Sequence, residues 1–145
     1  MEGDRGEHDA AITLHCGVSS LEAGEHPYPE RYQVSAQTAW LVNSVRSRGG
    51  RVIAVGTTVV RALETVAAPD GVVAAGSGVT NLTVTPERGL RSVDGLITGW
   101  HEPESSHLSL LEAAAGPDLL RRSYDAAYAG GYRFHEFGDS HLIVP

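Results

Sequence analysis

Lysine is absent: all eleven basic side chains in the 145 residues are arginine. That absence removes two broad classes of chemistry. A P-loop sets a lysine on the β/γ-phosphates, and pyridoxal phosphate enzymes hold their cofactor through a lysine Schiff base. Cysteine is nearly absent. A single residue, Cys16, leaves no internal disulfide and no multi-cysteine zinc site. That usage fits a cytoplasmic home, and Cys16 itself reads as a small buried apolar residue rather than a nucleophile. No apolar run reaches the length of a membrane span, and the opening MEGDRGEHD lacks the pattern of a signal peptide. Cations are scarce as well. Eleven basic against 18 acidic side chains give a formal charge of −7, and Arg121-Arg122 is the only adjacent basic pair. An extended surface for a polyanion needs clustered cations, so such a partner would have to be held mainly by another polypeptide. A Gly-x-Ser-x-Gly elbow is missing too, because Leu21 follows Gly17-Val18-Ser19-Ser20, and a hydrolase triad finds no support.

What is present is ordinary for a globular protein, with 41% hydrophobic and 20% charged residues. A chain of this size forms one domain and buries roughly two-thirds of its unfolded surface. Residues 1–10 are charged and expected to be disordered, leaving 11–145 as the folded portion. Ala11–Cys16 reads as a strand, and Gly17–Glu30 as a loop. Ser35 caps a helix to about Arg48, with Trp40, Leu41 and Val45 on its apolar side. Asn81–Thr85 alternates as a half-buried strand, and Leu96–Thr98 is a short one. Ser105 caps a helix carrying Leu108, Leu111 and Ala115. Gly116-Pro117 opens the next helix, through Ala129, and His141–Val144 is a terminal strand. Alternating strands and helices make the class α/β, a sheet with flanking helices.

Gly50–Val66, reading GRVIAVGTTVVRALETV, is the most informative stretch. Val52–Val55 has the composition of a strand buried on both faces. It stops at Gly56, after which the hydroxyl of Thr57 or Thr58 can cap a helix running to about Ala67. Val59, Leu63 and Val66 give that helix an apolar face. Strand, glycine turn and helix start present backbone N–H groups at the strand's carboxyl end, where α/β proteins gather ligands. Arg61 and Glu64, one turn apart, can form a charged pair beside that opening. A cation so near the helix start opposes the dipole, which suits an anion-binding task for Arg61.

Several other side chains can carry chemistry. His101 lies between an apolar run and a helix entry, where a strand delivers it to the mouth of a sheet; it serves either as an acid–base group or as a corner-holding histidine. His15 has the same placement, ending a strand before a glycine loop. Asp139 follows Gly138, as a site residue or an Asx turn. Two His-Glu pairs, His101-Glu102 and His135-Glu136, with His107, Asp139 and His141 nearby in sequence, open a metal-binding alternative. Against it, H-E-x-x-H spacing fails at Ser105, and no metal site is expected.

These blocks resemble one family, the S-adenosylmethionine:tRNA ribosyltransferase-isomerases of queuosine biosynthesis. The family's "VIAVGTTxVRxLE" is matched by Val52–Val55, Gly56, Thr57, Thr58, Val60, Arg61, Leu63 and Glu64. Its "VDxLxTNFHLPxS" is matched by Val93, Asp94, Leu96, Thr98, His101, Pro103 and Ser105. Its "YRF…YGDA" is echoed by Tyr132, Arg133, Phe134, Gly138 and Asp139. Upstream, Thr13, Leu14, His15 and Gly17 are similar to "TLHVG", and Glu30 aligns with the Glu of "MHxE". Order and approximate spacing agree in all five blocks. Departures are Gly99-Trp100 for Asn-Phe, Glu102 for Leu, Gly17–Leu21 for the "GxGTF" loop, and Tyr28 at the histidine of "MHxE".

The resemblance runs from about Ala11 onward and covers only the family's C-terminal portion, since members are more than twice as long and insert a β-barrel domain into the α/β domain. It implies a partial sheet lacking the family's N-terminal strands. It also implies transfer and isomerisation of the ribosyl group of S-adenosylmethionine onto 7-aminomethyl-7-deazaguanine in tRNA, forming epoxyqueuosine and releasing adenine and methionine. S-adenosylmethionine enters as substrate, with no cofactor. The residues carried over are His101, His15 and Asp139 for catalysis, and Gly56, Thr57, Thr58, Arg61, Glu64 and Ser105 for substrate binding. Binding of tRNA is expected only with the missing N-terminal portion, no membrane partner is expected, and self-association or a partner chain is. Two other classes stay open: an inactive or partner-dependent binding fragment, and a histidine-rich metal protein.

Overall fold

Two three-stranded sheets carry the chain, with one helix pressed between them. The computed structural model describes residues 6–16, 28–102, 107–134 and 137–145. In chain order the elements are β1 (Thr13–His15), β2 (Glu30–Val34), α1 (Ala36–Ser47), β3 (Ile53–Val55), α2 (Thr57–Thr65), β4 (Gly76–Thr80), β5 (Gly95–Gly99), α3 (His107–Ala115), α4 (Pro117–Gly130) and β6 (Ser140–Ile143). The first sheet is antiparallel, in the order β1-β2-β4. In the second, β3 runs parallel to β5, and β6 closes the other side antiparallel. The class is α/β, as the alternation of elements predicts.

The first sheet was only partly visible in the sequence, which showed β1 but neither β2 nor β4. Gly76–Thr80 reads GSGVT and shows no apolar alternation, yet pairs with all of Glu30–Val34. The alternating stretch Asn81–Thr85 forms no strand. Instead the backbone turns there, with Leu82 N–H donating to Thr80 Oγ1. Cross-strand pairing outweighs local propensity in both places. α1 keeps its predicted start, since Ser35 accepts from the Thr38 amide at 3.1 Å. Its inward side is Thr38, Ala39 and Val42 rather than Trp40, which is 65% exposed. α4 starts with Pro117 and buries Leu120, Tyr124 and Ala127, while Tyr128 is exposed. Cys16 is exposed, not buried. Ser105 and the helix entry it was expected to cap lie outside the described residues.

α2 packs against strands of both sheets, which explains its unusual burial. Val60, Ala62 and Leu63 are buried as expected of an apolar face, but so are Thr57, Arg61 and Glu64. A helix enclosed on most sides must find partners for its polar side chains as well. Its start also differs from expectation. The N-cap is Gly56 at φ +99°, with no side-chain cap from either threonine. That left-handed φ is open to glycine and costly for other residues, so the glycine sets the turn.

β3 corrects a further expectation. It lies at the edge of its sheet, and only Ala54 is buried; Ile53 is 36% and Val55 66% exposed. An apolar run signals burial somewhere, and among the described residues α2 covers only one face of this strand.

Candidate functional site

The parallel pairing of β3 and β5 sends both carboxyl ends to the same edge of the second sheet. Beyond β3 comes Gly56, whose N–H donates to the Ile97 carbonyl at 2.8 Å. Beyond β5 come Trp100 and His101. The glycine turn and the leading histidine therefore both follow the carboxyl ends of the paired strands.

His101 is half-buried and held from several sides. Its Nε2 lies 3.0 Å from Thr98 Oγ1, and its backbone N–H donates to the Tyr124 hydroxyl at 3.2 Å. Its ring stacks on His107, with centroids 4.5 Å apart and planes 10° from parallel. Burial, and then the charges that His107 and His141 would carry, lower its pKa to about 4. At neutral pH it is an uncharged imidazole, an acceptor rather than an acid. His107 is lowered first by burial and then by the Arg61 guanidinium, so α2 reaches the site electrostatically. Burial also lowers His141. Tyr124 is pushed up to about 12, chiefly by burial against the opposing hydrogen bond from His101, and stays a neutral phenol.

Behind His101 stands an aromatic wall. Trp100 stacks on His141 at 3.9 Å and meets Tyr124 edge-on at 5.0 Å, with Tyr132 and Phe134 at 5.9 and 5.8 Å. Such pairs contribute about 0.5–1.5 kcal/mol each beyond their buried area, so the wall is a rigid backing.

Arg61 and Glu64 do not pair with each other. Arg61 is 5% exposed, and its Nη1 donates to Glu30 Oε2 at 2.7 Å. Its Nε–H goes to the Leu82 carbonyl at 2.9 Å, and Nη2 to those of Tyr28 and Thr80. Glu30 supplies the reason for a cation in this helix. Burial outweighs the arginine's pull and leaves the Glu30 pKa raised. Glu64, 1% exposed, accepts from the Arg88 guanidinium at 2.8 Å, from the Arg91 and Ser92 amides and from the Ser92 hydroxyl. Burial pushes its pKa up, but those hydrogen bonds together win and hold it below the usual carboxylate range. Its acceptor capacity is filled by the 88–92 loop.

His15 and Asp139 are not drawn into this cluster by any contact among the described residues. His15 ends β1 opposite Arg31 in the other sheet and lines a shallow depression of about 370 Å³ with Thr13, Gln33 and Ser77. Asp139 closes a loop: its carboxylate accepts from the Arg133 amide at 2.7 Å, and its own N–H returns to the Arg133 carbonyl. A Cβ on Gly138 would collide with the carbonyls of Arg133 and Phe134, so the Gly-Asp pair is what this turn requires. Glu30, against Arg61, and Thr98 and Tyr124, against His101, were not singled out as site residues by the sequence, and His107 was singled out only as a possible metal ligand. Glu30 carried a motif signal, and His107 sits six residues after His101, but long-range packing assembled them. Among the described residues no group of three or more His, Cys, Asp or Glu side chains can hold a metal ion. None of their helices is long and apolar enough to cross a membrane.

The three lowered histidines make a prediction. Each binds a proton less readily when folded than when unfolded, so its contribution is complete above about pH 6.5 and is lost as pH falls toward the folded value. For His101 alone, with a folded pKa of about 4, the loss by pH 5 is about 2 kcal/mol. Urea midpoints are expected to drop between pH 7 and 5, before most carboxylates titrate. A midpoint flat over that interval would contradict the buried neutral histidines.

Comparison with known proteins gives concordant results. A family model described as "Queuosine biosynthesis protein" matches residues 3–143. Curated S-adenosylmethionine:tRNA ribosyltransferase-isomerases from Natranaerobius thermophilus and Symbiobacterium thermophilum are 42% and 44% identical to the chain over 147 residues. Each alignment covers 97% of this chain and 43% of the relative. The crystal structure of the S-adenosylmethionine tRNA ribosyltransferase from Thermotoga maritima is similar at a TM-score of 0.74 and 37% identity, over 93% of this chain and 44% of that one. The chain thus spans less than half the length of these relatives.

Proposed function

The chain belongs to the queuosine biosynthesis protein family, and from that premise we propose that it forms part of an S-adenosylmethionine:tRNA ribosyltransferase-isomerase. The reaction moves the ribosyl group of S-adenosylmethionine onto the aminomethyl group of 7-aminomethyl-7-deazaguanine in tRNA. It isomerises the sugar to an epoxycyclopentane, with loss of adenine and methionine.

One observation carries the reading: His101 and the Gly56 turn both follow the carboxyl ends of the paired parallel strands β3 and β5. The sulfonium of the substrate acidifies the protons on the adjoining sugar carbon, and a neutral imidazole is in the right state to accept one. His101 therefore acts as the base. Its low proton affinity makes it a weak base in water, which suits an already acidified carbon and a proton soon returned. Tyr124, a neutral phenol bonded to the His101 backbone, is placed to donate toward a departing nitrogen. Gly56, Thr57 and Thr58 offer helix-start N–H groups to an anionic or polar part of the substrate, such as the methionine carboxylate. Arg61 and Glu64 hold α2 and the 88–92 loop in place around them.

A second reading, an inactive binding fragment of the family, is favoured by a separate observation. The chain spans 43% of its relatives, while Ile53 and Val55 leave one face of β3 exposed. A charge of −7 with no lysine gives little attraction for tRNA.

One assay separates the two. The purified chain is incubated with S-adenosylmethionine and tRNA bearing the aminomethyl-deazaguanine, and adenine release is measured. No release is expected from the chain alone, and release is expected once a polypeptide carrying the remainder of the family sequence is added. Release by the chain alone would make it sufficient for the reaction. Silence in both arms would leave the binding-fragment reading standing.

A further inference from the structure

His107 was drawn from the sequence only as a possible metal ligand, and the chemistry above does not use it. Its position is nonetheless specific. It opens α3, and its imidazole lies face to face with that of His101 at 4.5 Å, 10° from parallel. We propose that His107 is a positioning residue for His101: its stacked ring fixes the plane of the His101 imidazole and couples the protonation of the two rings.

The geometry supports each part. Thr98 grips Nε2 of His101 from one edge, but one hydrogen bond leaves the ring free to swing about that contact. A flat partner at stacking distance removes that freedom. The ionisable groups around His101 are His107 from α3, His141 from β6 and Tyr124 from α4, with Arg61 from α2 beyond His107 and Glu102 next in the chain. Tyr124 stays neutral, and His141 is buried against Trp100. Two imidazoles this close titrate as a unit, because the first proton repels the second. Burial and the repulsion from His107 both disfavour a proton on His101.

This inference rests on His101 as the reacting group, yet its test is independent of turnover. The 145-residue chain, labelled with ¹⁵N-histidine, is titrated by NMR from pH 8 to 4.5 as wild type, His107→Phe and His107→Gln. Phe keeps a flat ring on His101 and removes the proton site. The His101 titration is expected to move upward by roughly half a unit or more in His107→Phe. In the same variant Nε2 keeps a single tautomer, whereas in His107→Gln, which lacks the ring, the two tautomers average. If His107→Phe does not fold, the upward shift is read in His107→Gln instead. An unshifted His101 titration in a folded variant overturns the proposal. A shifted titration in a chain whose complete enzyme turns over normally as His101→Ala would keep the coupled pair and remove only the catalytic reading.

Discussion

His101→Ala in a complete, active enzyme carrying this sequence is expected to lower kcat by about 10²–10⁴-fold, the usual contribution of a general acid–base group. The fold should survive. The bond from residue 101 to Tyr124 uses the backbone N–H, which alanine keeps. Single-turnover adenine release and the urea midpoint, measured on the same preparation, separate the two effects. Near-normal release would reduce His101 to a corner-holding residue. A collapse of cooperative unfolding would place its role in stability. If it is the base, His101→Gln should be almost as slow as alanine, because an amide cannot take the proton.

Arg61→Ala is expected to destabilise the chain by about 3–5 kcal/mol, the cost of leaving one half of a buried ion pair without its partner. Glu30 is 8% exposed and would keep a carboxyl group in that interior. The carbonyls of Leu82 and Tyr28 would lose their donors at the same moment. A Glu30→Gln/Arg61→Met double variant should recover part of the loss, since burying two neutral groups avoids the uncompensated charge. Denaturant titration of the single and double variants checks this. An Arg61→Ala protein with wild-type stability but weakened S-adenosylmethionine binding would return Arg61 to the ligand-binding role suggested by its motif.

Motif residues and their structural partners are different sets here. Gly56 is legible because a strand must stop and a left-handed turn admits glycine. His101 is legible mainly because the family motif lands on it, with the short apolar strand before it as a weaker signal. Arg61 and Glu64 belong to the same motif, yet face Glu30 and Arg88, 31 and 24 positions away in sequence. Local spacing placed them one turn apart and suggested a pair. Enclosure of α2 by two sheets gave each a stronger partner. Asp139 is similar: the Gly-Asp motif is real, and its visible task is to close the Arg133–Asp139 turn. Trp40 shows the opposite error, a large apolar residue that stays 65% exposed.

The sequence by itself determined the α/β class, the glycine turn after a strand, the Ser35 cap and the Gly116-Pro117 helix start. Each depends on backbone geometry or hydrophobic period within a few residues, which the chain carries locally. Only the tertiary structure decided the rest. It split the strands into two sheets, put β3 at an edge, and built the β2–β4 pairing from a glycine-rich segment with no pattern of its own. It also brought His107, Thr98 and Tyr124 around His101. Those contacts join residues on four separate elements or loops. What fixes them is the burial of α2 and the packing of α3 and α4 beside the sheet, a free energy shared among distant side chains and absent from any short window of sequence.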